Sequence, residues 1–421
     1  MKFIWFSGVL VVSVLALSCA SLGGSGGRLN GVPFGARRIY IATVSPPSLT
    51  VIELNTINRK EPKVYPVYLK DFEGTRQSSQ IGISKDGNYL WLAEDISEDG
   101  GCVALLDASS FEPLKTWNVG AGEGAHISRD GKWGFFASEK KDNPNINVFD
   151  IQKQRYLGYI ELGGPALGFD TNAEGTRLYV IKSLSNMLYE YDISALPDIA
   201  AKASADRYGL KLPVPLRRSF ASQYANTSSL LVHPNGKYLM LGAYTPGPLG
   251  RVADTSVYDI ILDLTGDSIT EFLKMIGGNH NYALSPDGNV FFSTEWYPLD
   301  CHDAWFLRGL PVFEDPRITT QQLRYFDIST LESAAPNPLD VKLTGVICGN
   351  IHLGFAQPDP LSHEVYDPSG NFLFLATISK TNETKGDLLI LDGKSLELIK
   401  TIPLPESPDG ISTDRVKIIK F

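Results

Sequence analysis

The stretch Tyr282-Ala-Leu-Ser-Pro-Asp-Gly288, followed by Val290-Phe-Phe292, is the part of this 421-residue sequence that decides the fold. A short apolar run ends in Asp-Gly, and a second apolar run begins directly afterwards. Asp-Gly and Asn-Gly adopt the positive φ angles of tight hairpin turns at low energetic cost. The stretch therefore predicts two antiparallel β-strands joined by a short turn.

The same pattern occurs six times along the chain. The first two intervals between the turn glycines are 44 residues each, and the later intervals are longer. Four short strands with their turns need roughly 40 to 50 residues, so the interval matches one blade of a β-propeller, and the longer intervals indicate insertions. A third apolar strand ending in Asp follows in most copies, as at 103–107, 146–150 and 388–392. The turn glycines are Gly87, Gly131, Gly175, Gly236, Gly288 and Gly370.

A seventh set of strands is shared between the two ends of the chain. Residues 38–42 and 49–53 read as strands without a preceding first strand, and residues 416–421 form one strand without a partner. Pairing the terminal strand with the first blade closes the ring and removes exposed sheet edges. We predict an all-β, seven-bladed β-propeller over residues 37–421. Two β-sandwiches built from the same short strands are the alternative.

The N-terminus has the features of an export signal. Lys2 precedes an apolar run over 3–17, and small residues follow it. The run is too short for a typical membrane span, so we assign 1–18 to a signal segment and 19–36 to a flexible tether. The residues before Cys19 resemble a relaxed bacterial lipoprotein box, which predicts lipidation of Cys19 and an extracytoplasmic, envelope-anchored protein. Plain secretion and an uncleaved anchor are the alternatives.

The charge of the chain argues against nucleic acid as a partner. The formal net charge is -9, and no basic stripe with interleaved aromatic residues is present in the sequence. Such a surface repels phosphate backbones. We expect contact with a membrane only through an N-terminal lipid anchor.

Two long insertions mark one face of the predicted propeller. Residues 296–320 interrupt blade six between its second and third strands, and residues 345–362 precede the first strand of blade seven. Long loops on one face of a rigid scaffold often carry function. Aromatic side chains of the first insertion are candidate anchors for a partner. Alternatively, they form a small apolar core beneath the loop. They are Trp296, Tyr297, Trp305, Phe306 and Phe313.

Most of the histidines map to this face. His280, Glu295 and His363 are the candidate ligands of a divalent or copper ion, because imidazole and carboxylate groups suit these metals. The same residues are candidates for acid–base catalysis. The alternative is that they only line the channel or its loops and form hydrogen bonds there. The wider candidate site at the channel mouth adds His352, His302 and His126.

Three cysteines remain after Cys19, and all three map to the insertion face. In an exported chain, a disulfide between Cys301 and Cys348 would tie the two insertions together. Cys102 would then be free or buried. Outside the predicted tether 19–36, the sequence contains no Gly-x-Ser-x-Gly elbow, P-loop or dinucleotide fingerprint.

The turn-and-strand repeat resembles the YVTN family of propellers. The strands at 38–53 and the C-terminal 404–421 are also similar to the heavy chains of quinone-dependent amine dehydrogenases. That resemblance implies a propeller that supports a small quinone-bearing partner subunit. Ser293-Thr-Glu-Trp296 is similar to a segment of selenium-binding propellers that act as thiol oxidases, although the cysteine-rich and histidine-rich stretches of that family are absent.

Three functions are therefore compatible with the sequence. The first is an exported module that binds a protein or small ligand through the insertion face. The second is a metal-assisted oxidase or lactonase-like enzyme that works at the channel mouth. The third is the supporting chain of a redox complex. The sequence leaves the cofactor and the ligand open.

Overall fold

The structure is a computed structural model, and it describes the β-strands and many of their connections. The described residues are 38–43, 48–53, 56, 59–68, 77–84, 88–97, 100–119, 125–138, 145–164, 166–182, 185–206, 209–245, 256–276, 279–285, 287–295, 312–315, 322–349, 363–366, 372–379, 382–395, 397–404 and 417–419. The predicted signal segment 1–18 and tether 19–36, with Cys19, lie outside them.

The strands form seven sheets, numbered here in chain order. Sheet 1 contains β1 (Arg38–Thr43), β2 (Ser48–Glu53) and β3 (Val64–Tyr68). Sheet 2 contains β4 (Gln77–Ile83), β5 (Tyr89–Ser97), β6 (Gly100–Asp107) and β7 (Pro113–Asn118). Sheet 3 is built on β8 (Ala125–Ile127), β9 (Trp133–Ala137), β10 (Asn145–Asp150) and β11 (Arg155–Glu161).

Sheet 4 contains β12 (Ala166–Thr171), β13 (Arg177–Lys182), β14 (Met187–Asp192) and, after an excursion, β17 (Leu216–Ala221). The excursion holds the short helix α1 (Leu196–Ala200) and the hairpin β15 (Ser204–Asp206) and β16 (Gly209–Lys211). Sheet 5 contains β18 (Ala225–Val232), β19 (Tyr238–Thr245), β20 (Ser256–Asp263) and β21 (Thr270–Ile276).

Sheet 6 contains β22 (Asn279–Leu284), β23 (Val290–Glu295), β24 (Val312–Asp315), β25 (Gln322–Asp327) and β26 (Lys342–Gly349). Two 3-10 turns, Ser329–Glu332 and Pro338–Asp340, lie before β26. Sheet 7 contains β27 (His363–Tyr366), β28 (Phe372–Ser379), β29 (Asn382–Asp392) and β30 (Leu398–Leu404). The last strand of the chain, β31 (Lys417–Ile419), belongs to sheet 1. No helix in the described ranges has the length and apolarity that a membrane crossing requires.

The turns between first and second strands have the predicted conformation wherever the structure describes them. Gly131 and Gly288 have φ angles of 76° and 75°, a region that favours glycine. Each glycine N–H donates to a carbonyl three residues earlier, Ser128 O at 2.7 Å and Ser285 O at 2.8 Å. The same geometry recurs at Gly175 and Gly236.

In sheets 2 to 7, an Asp at the end of the third strand organises the turn that follows it. The Asp107 carboxylate accepts backbone N–H bonds from Ser109 at 2.8 Å and Ser110 at 2.9 Å. Burial favours the neutral acid, but the hydrogen bond from the Ser109 hydroxyl, together with these backbone bonds, outweighs it and holds the pKa of Asp107 below its ordinary value. The recurring Asp is therefore a turn former. Its counterparts are Asp150, Asp192, Asp263, Asp327 and Asp392.

Two sheets have extra edge strands that the repeat did not predict. The β15–β16 hairpin leaves sheet 4 and pairs in parallel with the outer strand of sheet 3, where Lys211 lies opposite Tyr159. Within the predicted insertion 296–320, β24 pairs in parallel with β26. The predicted insertion 345–362 needs correction, because its first five residues complete β26. Strands β16 and β24 cover the edges of β11 and β26, which would otherwise expose unpaired backbone groups.

The two ends of the chain meet in sheet 1. The terminal strand β31 pairs antiparallel with β1, and Ile418 lies opposite Ile39. The order across sheet 1 is β3-β2-β1-β31, so the last strand takes the position that the first strand occupies in the other sheets.

Apolar clusters join each sheet to the next sheet in the chain. Sheets 1 and 2 share a cluster that contains Leu49 and Leu90, and the pattern continues through sheets 6 and 7. A further cluster packs Ile52 of sheet 1 against Phe374 and Leu388 of sheet 7. Each sheet therefore buries apolar side chains against two neighbours.

Replacing Ile52 by Ala should destabilise the protein through the contact between the first and last sheets. Ile52 is fully buried, and the substitution removes its transfer energy and leaves a cavity, so we expect a loss of about 2–5 kcal/mol in the free energy of unfolding. Chemical denaturation measures this loss. The control Ile399→Ala lies on an exposed strand position and should cost less than about 0.5 kcal/mol. Equal losses in the two variants would contradict the packing described here.

Candidate functional site

The predicted ligands at the channel mouth lie at strand ends. His280 is the second residue of β22, and its neighbour Asn279 lies opposite Glu295, the last residue of β23. His363 is the first residue of β27 and lies opposite Ala376. Strands β22 and β27 are neighbours in space. The backbone positions of His280 and Glu295 are therefore close, and His363 begins the first strand of the next sheet.

Of the other predicted residues, Cys348 lies at this same end of sheet 6, beside the start of β25 and the end of β23, and three lie outside the described residues. His302, His352 and Cys301 lie outside them. Cys348 lies in β26 opposite Gln322. Among the described side chains, no group of three His, Cys, Asp or Glu residues could hold a metal ion.

His126 lies closer to the turn end of its sheet than His280 does. It lies in β8 only two residues before Ser128, which opens the Asp-Gly turn, whereas His280 lies five residues before the equivalent Ser285. At about 3.3 Å per residue, this difference of three residues places His126 about half the length of the six-residue strand β22 closer to the turns. The grouping of His126 with the channel-mouth histidines stays a prediction.

At this turn end, His126 is part of a cluster around Asp170, in β12. The Asp170 side chain is 3% exposed. Its Oδ1 accepts the Thr171 N–H at 2.7 Å, and its Oδ2 accepts the Val232 N–H at 2.8 Å. Because Val232 ends β18, the carboxylate connects the first strands of sheets 4 and 5.

Arg129 brings sheet 3 into the same cluster. Its Nη2 donates to Asp170 Oδ2 at 2.6 Å, and its Nε donates to Oδ1 at 3.3 Å. The Arg129 backbone N–H donates to Thr171 Oγ1 at 2.9 Å, and Nη2 also donates to the Val232 carbonyl. This fork-shaped contact holds the carboxylate in place and favours its ionised form. We call His126, Arg129 and Asp170 the Asp170 cluster.

His126 completes the Asp170 cluster. Its Nε2 lies 3.1 Å from Asp170 Oδ1, and its ring meets the Phe169 ring edge to face at 6.1 Å. The side chain of His126 keeps 17% of its surface exposed. A neutral histidine whose Nε2 faces a carboxylate carries its proton on Nε2, which leaves Nδ1 as the basic nitrogen.

The electrostatics of Asp170 keep this carboxylate charged. Burial would raise the pKa of Asp170, but the Arg129 guanidinium and the His126 ring outweigh burial and hold the pKa well below its ordinary value. A buried carboxylate that is ionised at neutral pH, behind a partly exposed imidazole, is an arrangement that can orient a general base.

His233 has a structural position. His233 is fully buried, and its Nδ1 accepts the Asn235 N–H at 3.3 Å while Nε2 lies 2.9 Å from the Gly288 carbonyl. The Glu332 carboxylate lies 3.3 Å from Nδ1. These contacts tie a turn of sheet 5 to a turn of sheet 6.

Sequence reasoning missed Arg129 and Asp170 as partners of His126, although one signal was present. In the repeat, His126 and Asp170 fall at the same position of two successive first strands, where sheets 5 and 6 have Leu231 and Ala283. Polar residues at one repeat position in neighbouring blades indicate a shared polar cluster.

Comparisons with known proteins establish the fold and no family. No family model and no curated protein matches the chain. The periplasmic gluconolactonase PpgL of Pseudomonas aeruginosa matches with a TM-score of 0.58 at 10% identity over 91% of this chain and 99% of its own. A candidate 6-phosphogluconolactonase of Bacteroides fragilis matches with a TM-score of 0.58 at 15% identity over 93% and 99%. Hydrazine synthase of Kuenenia stuttgartiensis matches with a TM-score of 0.54 at 14% identity over 89% and 99%. The chain has a β-propeller fold.

Replacing Asp170 by Asn should destabilise the protein and alter its acid sensitivity. The substitution leaves the Arg129 charge without its carboxylate, and breaking such a pair costs about 3–5 kcal/mol when it is fully buried, less here because Arg129 is partly exposed. The lowered pKa means that Asp170 stabilises the fold fully above the unfolded pKa near 4, and that this stabilisation is lost as the pH falls below it.

Denaturation at pH 7 and at a series of pH values below about 5 tests both effects. The wild type should lose stability with acid more steeply than Asp170→Asn. Asp267→Asn, at an exposed loop position, should match the wild type at every pH. If Asp170→Asn kept the acid profile of the wild type, the electrostatic account of Asp170 would be wrong.

Proposed function

We propose that this chain is an extracytoplasmic, seven-bladed β-propeller that hydrolyses a sugar lactone at the Asp170 cluster in its central channel. The observation that carries the proposal is the contact between His126 Nε2 and the buried Asp170 Oδ1 at 3.1 Å. Two structures of similar fold are named as gluconolactonases, one of them periplasmic, and these names support the reaction class and the compartment.

The packing between sheets supports the closed ring. Apolar clusters connect the sheets consecutively, and the cluster around Ile52 connects sheet 7 back to sheet 1. The β31–β1 pairing gives sheet 1 its innermost strand. In this arrangement the first strands line the channel, and His126 on β8 and Asp170 on β12 stand side by side on its wall.

The proposed chemistry is general-base hydrolysis. His126 Nδ1 takes a proton from a water molecule, and the water oxygen attacks the lactone carbonyl carbon. The ring C–O bond then breaks, the proton passes to the leaving alkoxide oxygen, and the product is an open-chain hydroxy acid. Asp170 stabilises the imidazolium that forms, and Arg129 holds Asp170 in place. Arg129 is 23% exposed, and its charge favours a substrate with hydroxyl or acidic groups.

Replacing His126 by Asn should reduce kcat for glucono-δ-lactone about 10²–10⁴-fold, because the general base is lost. Acid release in weak buffer, corrected for spontaneous hydrolysis, measures the rate. His233→Asn is the matched control, since His233 contacts the sheet 5–6 turns and not the channel. It should lower stability and leave kcat per folded molecule unchanged. Full activity in His126→Asn, or no wild-type turnover with a panel of aldonolactones, would refute the proposal.

A second candidate function belongs to the other end of the channel. The register that sets Asn279 opposite Glu295, with His280 beside it and β27 adjacent, favours a ligand site there. We propose that the insertion-bearing end binds a protein or small ligand, with a divalent or copper ion held by His280, Glu295 and His363.

Elemental analysis of the mature chain, expressed with its export signal, tests the metal at this end. We expect about one metal ion per chain, and loss of that ion in the double variant His280→Ala with His363→Ala. His233→Asn again serves as the histidine control and should keep its metal. Absence of metal from the wild type would exclude the metal centre and leave a binding surface without metal.

A further inference from the structure

A second charged cluster lies on β13, β14 and β17 of sheet 4. At its centre is Glu190 of β14, whose side chain is fully buried. Three guanidinium groups contact its carboxylate. Arg177 Nε lies 3.5 Å and Arg217 Nη1 lies 3.1 Å from Oε1, and Arg218 Nε donates to Oε2 at 2.7 Å. A buried carboxylate needs compensation by charge and hydrogen bonds, and Glu190 has both.

The cluster contains more positive than negative charges. The second carboxylate is Asp192, whose Oδ1 lies 2.8 Å from Arg177 Nη1. Three guanidinium groups therefore face two carboxylates, and one positive charge is left over. Glu53 of sheet 1 is also buried, yet its compensation comes from Lys63 at 3.9 Å and the Tyr65 hydroxyl at 3.1 Å.

The three arginines differ in exposure and in their contacts. Arg218 is 9% exposed, and its Nη1 also donates to the carbonyls of Leu264 at 3.1 Å and Gly266 at 2.5 Å, which ties sheet 4 to sheet 5. Arg177 is 22% exposed and Arg217 is 50% exposed. Arg218 therefore has a structural role, whereas Arg177 and Arg217 present donor groups to solvent.

Glu190 holds the two exposed guanidinium groups close together. Both contact the same oxygen, Oε1, so Arg177 Nε and Arg217 Nη1 lie within about 7 Å of each other, a distance that a single phosphate group can bridge. The carboxylate fixes the arginine side chains before any ligand arrives, which lowers the entropic cost of binding. Each guanidinium offers a planar set of N–H donors that matches the oxygens of a phosphate.

We propose that Arg177 and Arg217 form a binding site for a phosphate group on the outer surface of sheet 4. The excess positive charge of the cluster attracts an anion to a chain whose net charge is -9, and the fork geometry selects a tetrahedral oxyanion over chloride. The phosphate can come from free inorganic phosphate or from the headgroup of an anionic lipid. The site is independent of the Asp170 cluster and of its reaction.

The test uses the full mature chain and the variant Arg217→Gln. Arg217→Gln leaves Arg177 and Arg218 on Glu190, so the fold should remain, and a thermal unfolding curve checks this. Calorimetric titration with sodium phosphate, against sodium chloride at equal ionic strength, should show saturable binding to the wild type. Loss of a charge-assisted fork in Arg217→Gln should weaken it about tenfold or more. Arg217→Lys, which keeps the charge and loses the fork, should bind with intermediate affinity.

Arg155→Gln is the matched control, because Arg155 is 53% exposed and lies 4.0 Å from the buried Asp150. It should bind phosphate like the wild type. Sedimentation with phosphatidylglycerol vesicles, compared with phosphatidylcholine vesicles, distinguishes the source of the phosphate. Binding to phosphatidylglycerol that is lost in Arg217→Gln, without saturable binding of free phosphate, assigns the site to a lipid headgroup.

The proposal is overturned if the wild type binds neither probe. It is also overturned if Arg217→Gln binds as the wild type does, or if Arg155→Gln loses binding to the same extent. Lactone hydrolysis by the same samples reports separately on the Asp170 cluster, so failure of one proposal does not count against the other.

Discussion

The structure depends on one packing constraint, which is that each small antiparallel sheet must bury apolar side chains on both of its faces. Burial of only one face of such a sheet gains less free energy than the conformational entropy of its residues costs, so a second buried face is needed. Here every sheet contacts two others, and the contact of Ile52 with Phe374 brings the first and last sheets together. The first and last sheets therefore meet the same requirement as the sheets between them.

The same constraint decides where charged groups can be placed. Interfaces between sheets are apolar, so a carboxylate is tolerated there only when hydrogen-bond donors and positive charge surround it. Asp170 has donors from Arg129 of sheet 3 and from Val232 of sheet 5. Glu190 is surrounded by arginines, one of which bonds to carbonyls of the sheet 5 turn. Both carboxylates hold sheets in register and hold cationic side chains in fixed positions near solvent.

The parts of the fold that follow from local chemistry could be predicted from the sequence. Gly288 and its counterparts are needed for positive φ, and an Asp such as Asp107 ends a strand by accepting N–H bonds two and three residues later. The β15–β16 hairpin and β24 could not be predicted, because their pairing depends on distant sheet edges and leaves no periodic signal. For the same reason residues 345–349 read as an insertion although they complete β26.

The candidate site shows the same division between local and distant information. The sequence identifies His126 as a residue on a first strand, but its partner is 44 positions away and becomes visible only when blades are superimposed on one repeat. In that superposition His126 and Asp170 occupy equivalent positions, so their contact is one between corresponding residues of adjacent blades. A repeat fold places equivalent positions side by side around its axis. A polar pair at such positions is tolerated because Arg129 and the backbone supply hydrogen-bond donors to the carboxylate. The pair leaves an oriented imidazole that keeps part of its surface exposed.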